Sequence, residues 1–594
     1  MGKQKWFSIL AAGTMLASTF AFVGGGSYAQ GTSQTFPETG KTVSGRFLEY
    51  WKANGGLPQQ GYPITSEMQE VSATDGKTYT VQYFERAVFE KHPENKAPND
   101  VLLSLLGNFA YKAKYGTAGA PGQKVSTENP TKFSQTNHSV GGKFLAYWNK
   151  NGGLAQQGYP ISDEFTEKSD LNGKDYTVQY FERAVFELHP ENQAPYDVLL
   201  SQLGTSQLKA KQNAIAYPTG TGTITLWHGY TGTEADTLAK AVKMLTDKNP
   251  GFQVTVLAVP FDSLKQKFTT EAATGGGPDL VIGPSDWIGE FAEAGIVSPL
   301  DEVEGSKPLV SGLTSAAVGV ATYNGKLYGI PTSMKNVALY YNTDLVKSVP
   351  KNLDDMLTQA GTLATGNVKY GLALNAGFYH AVGLNYAFGG KLFTDATHVD
   401  LTTKGTIDWL TWLKKAKDSK GVFAKGGADA DIDTLFKTGG AAMVVNGPWA
   451  LGDYQKALGK DKVGVAIVPN TAAGGKFAPF VGTENYYVNA GTKNEKAAVQ
   501  FVSFIVSAGI GKMFVDAGQI STNPNVDLSA NPSLAAFVAQ AAQGTAFPNV
   551  PAMGKVWDPA GNMITEVLDG KASPADAAKK ATDAINAAIA AGGN

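Results

Sequence analysis

Few side chains in this chain of 594 residues occur in a pattern that supports catalysis. Two Gly-Lys-Thr triplets, at residues 40–42 and 76–78, resemble the end of a phosphate-binding loop. Thr35 and Val71 stand where that loop requires its first glycine, so neither triplet predicts a nucleotide site. The sequence has no Gly-x-Ser-x-Gly elbow and no His-Glu-x-x-His motif, and its six histidines provide few general bases. We therefore expect a protein that is not an enzyme, although glycoside hydrolysis needs only two carboxylates close in space, which sequence spacing does not test.

One stretch of acids imitates a calcium-binding loop. Asp429, Asp431 and Asp433 have the alternating spacing of the first ligands. Thr434 then replaces the required glycine, and Gly440 replaces the bidentate acid. Acids that open a helix are the better interpretation, because they interact favourably with a helix N-terminus. The sequence predicts no metal and no cofactor.

Composition excludes several classes of protein. Hydrophobic residues make up 43% and charged residues 17%, a balance typical of folded, soluble proteins. Fifty Lys and Arg face 52 Asp and Glu, which argues against a nucleic-acid partner. The chain has no cysteine, so disulfides, thiolate zinc sites and a lipid-modified cysteine are excluded. Its length predicts about three or four domains.

The N-terminus has the order of a secretory signal. Lys3 and Lys5 precede a mostly apolar run at 7–23, and Ser27-Tyr28-Ala29 provides the small residues of a cleavage site. We predict a signal peptide over residues 1–29, with an uncleaved membrane anchor as the alternative. No later apolar run is long enough to span a membrane.

A tandem repeat follows. Residues 36–107 align with residues 133–204 at a constant offset of 97, and roughly 45 of about 64 positions from Gly45 onward are identical. Each copy predicts a short aromatic helix and then strands, over 78–90 in the first copy, with a hairpin turn before them at Asp75-Gly76, which makes it a small α+β unit.

The segments that follow each repeat, residues 108–132 and 205–222, are rich in Gly, Ala, Lys, Pro and Thr. We expect both to be linkers.

The repeat resembles a tandem module of bacterial secreted and surface proteins, with Tyr-Trp, Gly-Gly-Leu, Gly-Tyr-Pro and Gln-Tyr-Phe-Glu-Arg as its hallmarks. Tyr50 and Trp51 permit two interpretations. They could stack on sugar rings of a cell-wall glycan. They could instead be core residues, which we favour because a unit of about 70 residues must bury most of its aromatics. His92 and His189 each lack a second histidine at ligand spacing, so a metal site is not predicted.

From Thr223 onward, strands alternate with helices of about 10 to 14 residues, which predicts a three-layer, mostly parallel α/β sheet. In such sheets ligands bind beyond the carboxyl ends of strands, here residues 227–232 and 283–287. The length of this unit indicates two lobes.

Residues 223–594 resemble a family 1 extracellular solute-binding protein of an ABC importer, most closely the maltose and maltodextrin-binding group. The stretches that carry the resemblance occur in the family's order: Ala272-Ala273-Thr274-Gly275, Gly277-Pro278-Asp279, Tyr323 to Pro331, Tyr341 to Leu345, Asn446-Gly447-Pro448-Trp449, Phe480-Val481-Gly482 and Pro548-Asn549-Val550-Pro551.

The resemblance implies two α/β lobes around a cleft that closes on its ligand by a hinge motion. Lobe 1 would hold about 223–333 and 485–525, and lobe 2 about 338–480 and 530–594. The chain would cross between the lobes near 332–338 and again near 482–486.

The resemblance also implies a set of ligand-binding residues. Asp286 matches an aspartate that accepts hydrogen bonds from sugar hydroxyls. Tyr379, Trp449 and Trp557 match aromatic platforms on which glucose rings stack. An aromatic face suits the C–H groups of a sugar ring, and a carboxylate suits its hydroxyls.

Departures from the family pattern leave the exact sugar open. Lys335 replaces a cleft glutamate and would either pair with Glu484 or Asp286 across the cleft or favour an acidic sugar. Trp287 replaces a basic residue, and we expect Trp287 and Tyr230 to supply additional stacking surfaces.

These observations predict a secreted receptor, periplasmic or associated with the cell surface, without a lipid anchor. It would capture an oligosaccharide, maltose or maltodextrin by resemblance, and deliver it to the membrane permease of an ABC transporter. The repeats would add a possible contact with cell-wall glycan. The alternative is a cell-surface adhesion protein in which the repeats carry the function and the binding lobes act as a sensor.

Overall fold

The structure of the chain is a computed structural model that describes residues 33–169 and 172–592. The signal peptide expected at 1–29 lies outside the described residues.

Two repeats come first, and each has the same order of elements. In repeat 1 these are β1 (Ser33–Phe36), β2 (Lys41–Ser44), α1 (Gly45–Ala53), α2 (Gly56–Gln60), β3 (Met68–Val71), β4 (Thr78–Tyr83), β5 (Val88–Lys91), β6 (Val101–Leu103) and α3 (Leu106–Tyr115). In repeat 2 they are β7 (Thr131–Phe133), β8 (His138–Val140), α4 (Gly142–Lys150), α5 (Gly153–Gln157), β9 (Phe165–Lys168), β10 (Asp175–Tyr180), β11 (Val185–Leu188), β12 (Val198–Leu200) and α6 (Leu203–Gln212).

Each repeat folds as a four-stranded antiparallel meander, β3-β4-β5-β6 or β9-β10-β11-β12, with a short two-stranded hairpin beside it. The strands and the aromatic helix lie where the sequence pattern predicts them. Tyr50 is 8% exposed and packs edge-on against Phe89. Trp51 donates its indole N–H to the carbonyl of Gly61 at 3.0 Å and packs against Phe36. The aromatic pair therefore belongs to the core of the repeat, and the alternative in which it stacks on sugar is wrong.

The two repeats exchange their C-terminal helices. The helix α3 packs its Tyr111 against Tyr180 of repeat 2, and Lys211 of α6 pairs with Glu70 of repeat 1. Glycines permit this exchange, because a Cβ on Gly107 would stand 1.8 Å from the carbonyl oxygen of Phe181 in the other repeat. The two repeats consequently share one hydrophobic core.

The prediction that residues 108–132 and 205–222 are linkers is thus wrong over much of their length. Both begin inside a swapped helix, and Lys124 pairs with Glu164 of repeat 2 in a β-bridge. These segments also contain apolar side chains, such as Phe109 and Leu208, that pack against the neighbouring repeat. A composition rich in small and basic residues did not indicate this packing.

The C-terminal unit contains two sheets. Its strands are β13 (Gly222–His228), β14 (Phe252–Ala258), β15 (Leu280–Pro284), β16 (Thr322–Tyr323), β17 (Lys326–Leu327), β18 (Gly329–Lys335), β19 (Ala338–Asn342), β20 (Tyr370–Asn375), β21 (Phe393–Asp395), β22 (His398–Val399), β23 (Val422–Lys425), β24 (Ala441–Asn446), β25 (Val463–Ala466), β26 (Phe480–Val488), β27 (Ile520–Ser521) and β28 (Thr545–Ala546). Its helices are α7 (Gly232–Lys248), α8 (Phe261–Ala272), α9 (Ile288–Glu293), α10 (Ser306–Ser311), α11 (Ser315–Val320), α12 (Leu353–Leu363), α13 (Phe378–Ala387), α14 (Lys404–Asp418), α15 (Asp429–Lys437), α16 (Leu451–Leu458), α17 (Glu495–Val506), α18 (Ala508–Asp516), α19 (Ser533–Ala541), α20 (Trp557–Leu568) and α21 (Pro574–Gly592), with 3-10 turns at Ser285–Trp287, Leu300–Glu302, Pro448–Ala450, Lys460–Lys462, Leu528–Ala530 and Pro551–Lys555.

The first sheet has the order β14-β13-β15-β26-β18-β27 and forms the body of lobe 1. Strands β13, β14 and β15 run parallel, as expected. Strands β26 and β18 run antiparallel to their neighbours, so the sheet is mixed rather than mostly parallel. The reason is that both strands continue into the other lobe and thus do not belong to a local βαβ unit.

The second sheet has the order β23-β20-β24-β19-β25 and forms the body of lobe 2. The chain leaves the first sheet with β18 and enters the second with β19, so only residues 336 and 337 separate the two. It returns along β26, whose Phe480 lies in the core of lobe 2 and whose Tyr486 lies in the core of lobe 1. These two connections place a cleft between the lobes.

Among the described residues, no single helix is long and apolar enough to cross a membrane; α17 and α18 meet the length and composition limits only together, with a 60° bend between them.

Candidate functional site

The carboxyl ends of β13 and β15 lie side by side at the cleft. The parallel register pairs Leu226 with Leu280 and Trp227 with Val281, so the two strands end close to the same level. Residues 227–232 and 283–287 therefore meet at one edge of the sheet, as the strand pattern predicts.

A buried group of three charged side chains lies at this edge: Lys335, Glu234 and Glu484, here called the charged trio. The Lys335 Nζ is 3.1 Å from Oε1 of Glu234 and 3.2 Å from Oε2 of Glu484. Lys335 ends β18, Glu484 lies on the adjacent strand β26, and Glu234 is in the first turn of α7. Gln519 also donates to Oε1 of Glu234 at 2.8 Å. Each member of the trio thus has at least one partner within lobe 1.

The neighbouring carboxylates favour the charged form of Lys335. Burial lowers the pKa of Lys335, but the nearby carboxylates of Glu234 and Glu484 outweigh it, and the pKa is raised. Burial raises the pKa of Glu484, and Lys335 opposes that effect. With one ammonium between two carboxylates, the trio carries a formal charge of −1.

The pairing of Lys335 therefore differs in part from the prediction. Glu484 is a partner, but it lies in the same lobe and does not approach from across the cleft, because β18 and β26 are neighbouring strands. Glu234, which the sequence reasoning missed, is the second partner. Asp286 is held elsewhere.

Asp286 lies in the turn that follows β15 and is 5% exposed. Trp557, from lobe 2, hydrogen-bonds to its carboxylate, while among the described residues its Oδ1 has no hydrogen-bond partner. Burial raises the pKa of Asp286 to about 7. A buried oxygen without a partner is costly, so this carboxylate is poised to accept a hydrogen bond from a ligand.

Lobe 2 presents a set of aromatic rings to the cleft, here called the aromatic wall. Tyr379 lies at the start of α13, Trp449 in a 3-10 turn after β24, and Trp557 at the start of α20. Ring centroids are 6.1 Å apart for Tyr379 and Trp449, 5.8 Å for Tyr379 and Phe547, and 6.0 Å for Phe547 and Trp557. The structure brings together the three aromatics expected from the sequence and adds Phe547.

The polar edge of lobe 1 and the aromatic wall of lobe 2 face each other. The Lys335 Nζ is 5.7 Å from the ring centroid of Trp449. Trp557 reaches Asp286. Burial raises the pKa of Tyr379, and the charges of Asp286 and Glu484 add to that effect. Each polar group predicted for one lobe thus lies close to an aromatic group predicted for the other.

A hydrogen-bonded contact also joins the lobes beside the site. The Asp453 carboxylate at the start of α16 accepts hydrogen bonds from the backbone N–H and the hydroxyl of Thr233, in the first turn of α7. A Cβ on Gly232 would meet this carboxylate at 2.1 Å, so glycine is required for the approach. A carboxylate at a helix N-terminus is stabilising, and here it holds the two lobes together.

Comparison with known proteins identifies the architecture. The family profile described as bacterial extracellular solute-binding protein matches residues 240–542. The chain belongs to this family of extracellular solute-binding proteins.

Several relatives of this solute-binding protein carry names that state a ligand. The chain is 29% identical over 360 residues to a maltooligosaccharide ABC transporter solute-binding lipoprotein of Streptococcus pneumoniae, which covers 58% of this chain and 84% of the relative. It is 29% identical over 363 residues to a maltotriose-binding protein of Pyrococcus abyssi, covering 59% and 78%.

Solved structures are similar as well. A maltotriose binding protein of Thermus thermophilus bound with maltotriose shares 32% identity and a TM-score of 0.57, covering 62% of this chain and 100% of that one. A maltose/maltodextrin-binding domain of Bdellovibrio bacteriovorus bound to maltotriose shares 30% identity and a TM-score of 0.58 with the same coverage. The two-lobed fold and the family expected from the sequence are confirmed, and the family and these relatives are binding proteins.

One stacking residue expected in the solute-binding protein is not available. Trp287 is 4% exposed, and the ring of Phe261 is stacked on it at 5.8 Å. Gly283 also lies against the Trp287 ring, because a Cβ on Gly283 would stand 2.3 Å from that ring. The ring faces of Trp287 are occupied within lobe 1, so the prediction that it stacks on a sugar is wrong. Phe261, which is 52% exposed, covers it on the solvent side.

Tyr230, the second residue expected to stack on a sugar, lies beside the charged trio. It is 7% exposed, and the Lys335 Nζ lies 5.9 Å from its ring centroid. Burial raises the pKa of its hydroxyl far above the usual value. Tyr230 therefore borders the charged trio, where its ring supports Lys335 from the side of lobe 1.

The acids that imitate a calcium loop open the helix α15, as expected. Asp433 accepts hydrogen bonds from Tyr454 at 2.6 Å and from Asn446 at 3.0 Å. Among the described residues, no group of three or more His, Asp or Glu side chains is placed to hold a metal ion.

Proposed function

We propose that this solute-binding protein is an extracellular receptor that captures a maltodextrin-type oligosaccharide and delivers it to the permease of an ABC importer. The observation that carries the proposal is the aromatic wall of lobe 2 opposite the carboxylates of lobe 1. Names of similar proteins that bind maltotriose and maltooligosaccharides support the same ligand class.

Each part of the site has a role in this proposal. Tyr379, Trp449 and Trp557 stack on the apolar faces of successive glucose rings. Asp286 accepts hydroxyl hydrogen bonds with the oxygen that otherwise lacks a partner. Glu484 and Lys335 set which hydroxyls fit at the far end of the cleft.

The charges favour a neutral sugar. Lys335 is neutralised by two carboxylates at 3.1 and 3.2 Å, so it offers little attraction to an acidic ligand. Asp286 adds a further negative charge when ionised. An acidic oligosaccharide would bring its carboxylates beside carboxylates, which disfavours binding. The acidic-sugar alternative for Lys335 is therefore not part of the proposal.

Closure completes the site. Sugar that bridges the aromatic wall and the polar edge stabilises the closed form, because it contacts both lobes only there. The contact between Asp453 and Thr233 would add to that stabilisation, because it joins the same two lobes. The permease then has a single ligand-loaded conformation to recognise.

The proposal includes no catalysis, no cofactor and no lipid anchor, the last because the chain has no cysteine. Retention at the cell surface through a contact of the repeats with cell-wall glycan is part of it. Sedimentation of the full chain with purified cell wall, compared with a variant that lacks residues 33–212, tests this part; equal amounts in the pellet would contradict it.

Calorimetric titration of the full chain with maltotriose tests the receptor function. We expect binding at micromolar concentration or tighter. Trp557→Ala removes one stacking surface and one partner of Asp286, so we expect affinity to fall at least tenfold, about 1.4 kcal/mol. Tyr196→Ala, which removes an aromatic ring that is 65% exposed in repeat 2, is the matched control and should bind normally. Unchanged affinity in a folded Trp557→Ala variant would refute the site assignment, and silence with all maltodextrins would refute the function.

A further inference from the structure

Lobe 1 carries one exposed aromatic ring, that of Phe261 at the start of α8. Phe261 is 52% exposed. Among the described residues of the solute-binding unit, it is the only Phe, Tyr or Trp that is more than a third exposed. A single exposed apolar side chain indicates no function by itself, so the position of this ring decides what it can do.

The ring lies over the loops that follow two strands of the first sheet. It is stacked on Trp287, with ring centroids 5.8 Å apart and ring planes at 27°. A Cβ on Gly229 would stand 3.2 Å from an atom of the Phe261 ring. Gly229 follows β13 and Trp287 follows β15, and both loops form the edge of the cleft. Phe261 is therefore placed at that edge, with one face supported by Trp287.

The backbone on either side fixes the position of this ring. Val259 donates its N–H to the carbonyl of His228 at 2.9 Å, which ties the segment to the end of β13. The carbonyl of Pro260 accepts the N–H of Leu264 at 3.0 Å, so α8 begins at once. A ligand would meet a surface that is already formed, which lowers the cost of binding.

Helix α8 also relates the ring to Asp286. Lys265 follows Phe261 by one helical turn, so the two side chains are neighbours on α8. Burial raises the pKa of Asp286, and the charge of Lys265 opposes that effect, which places Lys265 near this carboxylate. Only β13 separates β14 from β15 in the sheet, so the strand ends that lead to Phe261 and Asp286 are about 10 Å apart at the usual strand spacing. Adjacent rings of one oligosaccharide can therefore reach both residues.

Polar groups beside the ring complete a surface that suits a sugar. Lys265 and Glu290 form a pair of 2.7 Å, and their side chains are 24% and 40% exposed. An ammonium has three donors and a carboxylate has about four acceptor positions, so this pair retains capacity for hydroxyl groups. An aromatic face next to such donors and acceptors matches the C–H face and the hydroxyl rim of a hexose.

We propose that Phe261 is a further stacking platform, which holds the glucose ring next to the one bound at Asp286 and Trp557. The three platforms of lobe 2 account for the rings of maltotriose, so Phe261 would take the fourth ring of a longer chain. The receptor therefore prefers maltotetraose to maltotriose. This inference rests on the proposed function and adds to it the length of the ligand and a stacking residue on lobe 1.

Calorimetric titration of the full chain with maltotriose and with maltotetraose tests the proposal. We expect the parent to bind maltotetraose about fivefold more tightly, as one additional stacked ring would provide. Phe261→Leu keeps an apolar cover on Trp287 but removes the flat ring, so it should bind the two sugars equally and maltotriose as the parent does. Phe261→Tyr keeps the ring and should retain the preference. Leu257→Ala is the matched control, because Leu257 is 45% exposed on the neighbouring strand β14, and it should also retain the preference.

Three results would overturn the proposal: equal binding of the two sugars by the parent, a full preference for maltotetraose in Phe261→Leu, or an equal loss for both sugars in that variant. The last result would indicate that Phe261 only supports Trp287. Maltotriose binding that depends on Trp557, without a gain for maltotetraose, would overturn this inference alone, whereas a parent that binds neither sugar would overturn the proposed function as well. Thermal unfolding establishes that Phe261→Leu is folded, and if it is not, Phe261→Met replaces it with the same expected result.

Discussion

Replacement of Lys335 by methionine tests the account of the charged trio most directly. Methionine has similar length and no charge, so the variant leaves Glu234 and Glu484 beside each other without the ammonium between them. The side chains of Lys335, Glu234 and Glu484 are 9%, 6% and 13% exposed, so solvent screens them little. Breaking a buried pair in this way destabilises a protein by about 3–5 kcal/mol, which corresponds to a fall in melting temperature of about 6–20 °C.

The loss should depend on pH in a defined direction. Burial already raises the pKa of Glu484, and removal of Lys335 raises it further. A carboxyl group with a raised pKa binds a proton more readily in the folded state than in the unfolded state, so acid stabilises the folded variant. The deficit of Lys335→Met relative to the parent should therefore be largest near pH 8 and shrink as the pH falls toward 5.

Thermal unfolding followed by circular dichroism between pH 5 and pH 8 measures this effect. Lys496→Met is the matched control, because Lys496 forms a pair of 2.9 Å with Glu304 whose side chains are 65% and 75% exposed. Exposed pairs contribute at most about 1 kcal/mol. If Lys335→Met loses no more stability than Lys496→Met, or if its loss is the same at every pH, then the trio is not a buried, charged unit and the reasoning fails.

Three further predictions concern binding and assembly. Burial raises the pKa of Asp286 to about 7, so maltotriose affinity should fall as the pH decreases from 8 to 6 and the acceptor carboxylate is protonated, whereas Asp286→Asn should bind weakly with little pH dependence; titration at several pH values checks this. Asp453→Ala removes the contact with Thr233 and should weaken maltotriose binding about threefold to tenfold by faster dissociation, which stopped-flow fluorescence measures and an unchanged dissociation rate would contradict. Gly107→Ala places a methyl group 1.8 Å from a backbone oxygen of repeat 2 and should separate the repeats, seen as proteolysis after residue 115, while Gly319→Ala, with open space around its Cβ and no positive φ, serves as the control.

The elements of the solute-binding unit could be predicted well because their signals are local. The alternation of strands and helices from β13 to α9 follows from hydrophobic period and turn residues alone, and the structure shows that alternation. The exchange of α3 and α6 could not be predicted in this way. Their apolar faces are ordinary for a helix, and only the three-dimensional arrangement shows that each face packs on the other repeat.

Predictions for the site divide along a similar line. Tyr379, Trp449 and Trp557 came from resemblance, and the structure brings them together. Glu234 was missed because an acid in the first turn of a helix has a sufficient local explanation in the helix dipole. Trp287 was assigned wrongly because the sequence does not show that Phe261 covers its ring. Residue type alone does not predict the position of a side chain whose contacts are with residues distant in the sequence.

The position of the repeats has a consequence for closure of the cleft. The swapped helix α6 leads directly into residues 213–217, which pack on lobe 1: Ala214 accepts a hydrogen bond of 2.8 Å from the backbone of Gly509, and the ring of Tyr217 lies 5.4 Å from that of Phe504. The repeat pair is therefore attached to the lobe that carries the charged trio and Asp286. A hinge motion would then move lobe 2, with its aromatic wall, relative to a body formed by lobe 1 and the repeats. If the repeats hold the protein at the cell surface, the polar half of the site keeps a fixed orientation and the stacking half closes over the sugar.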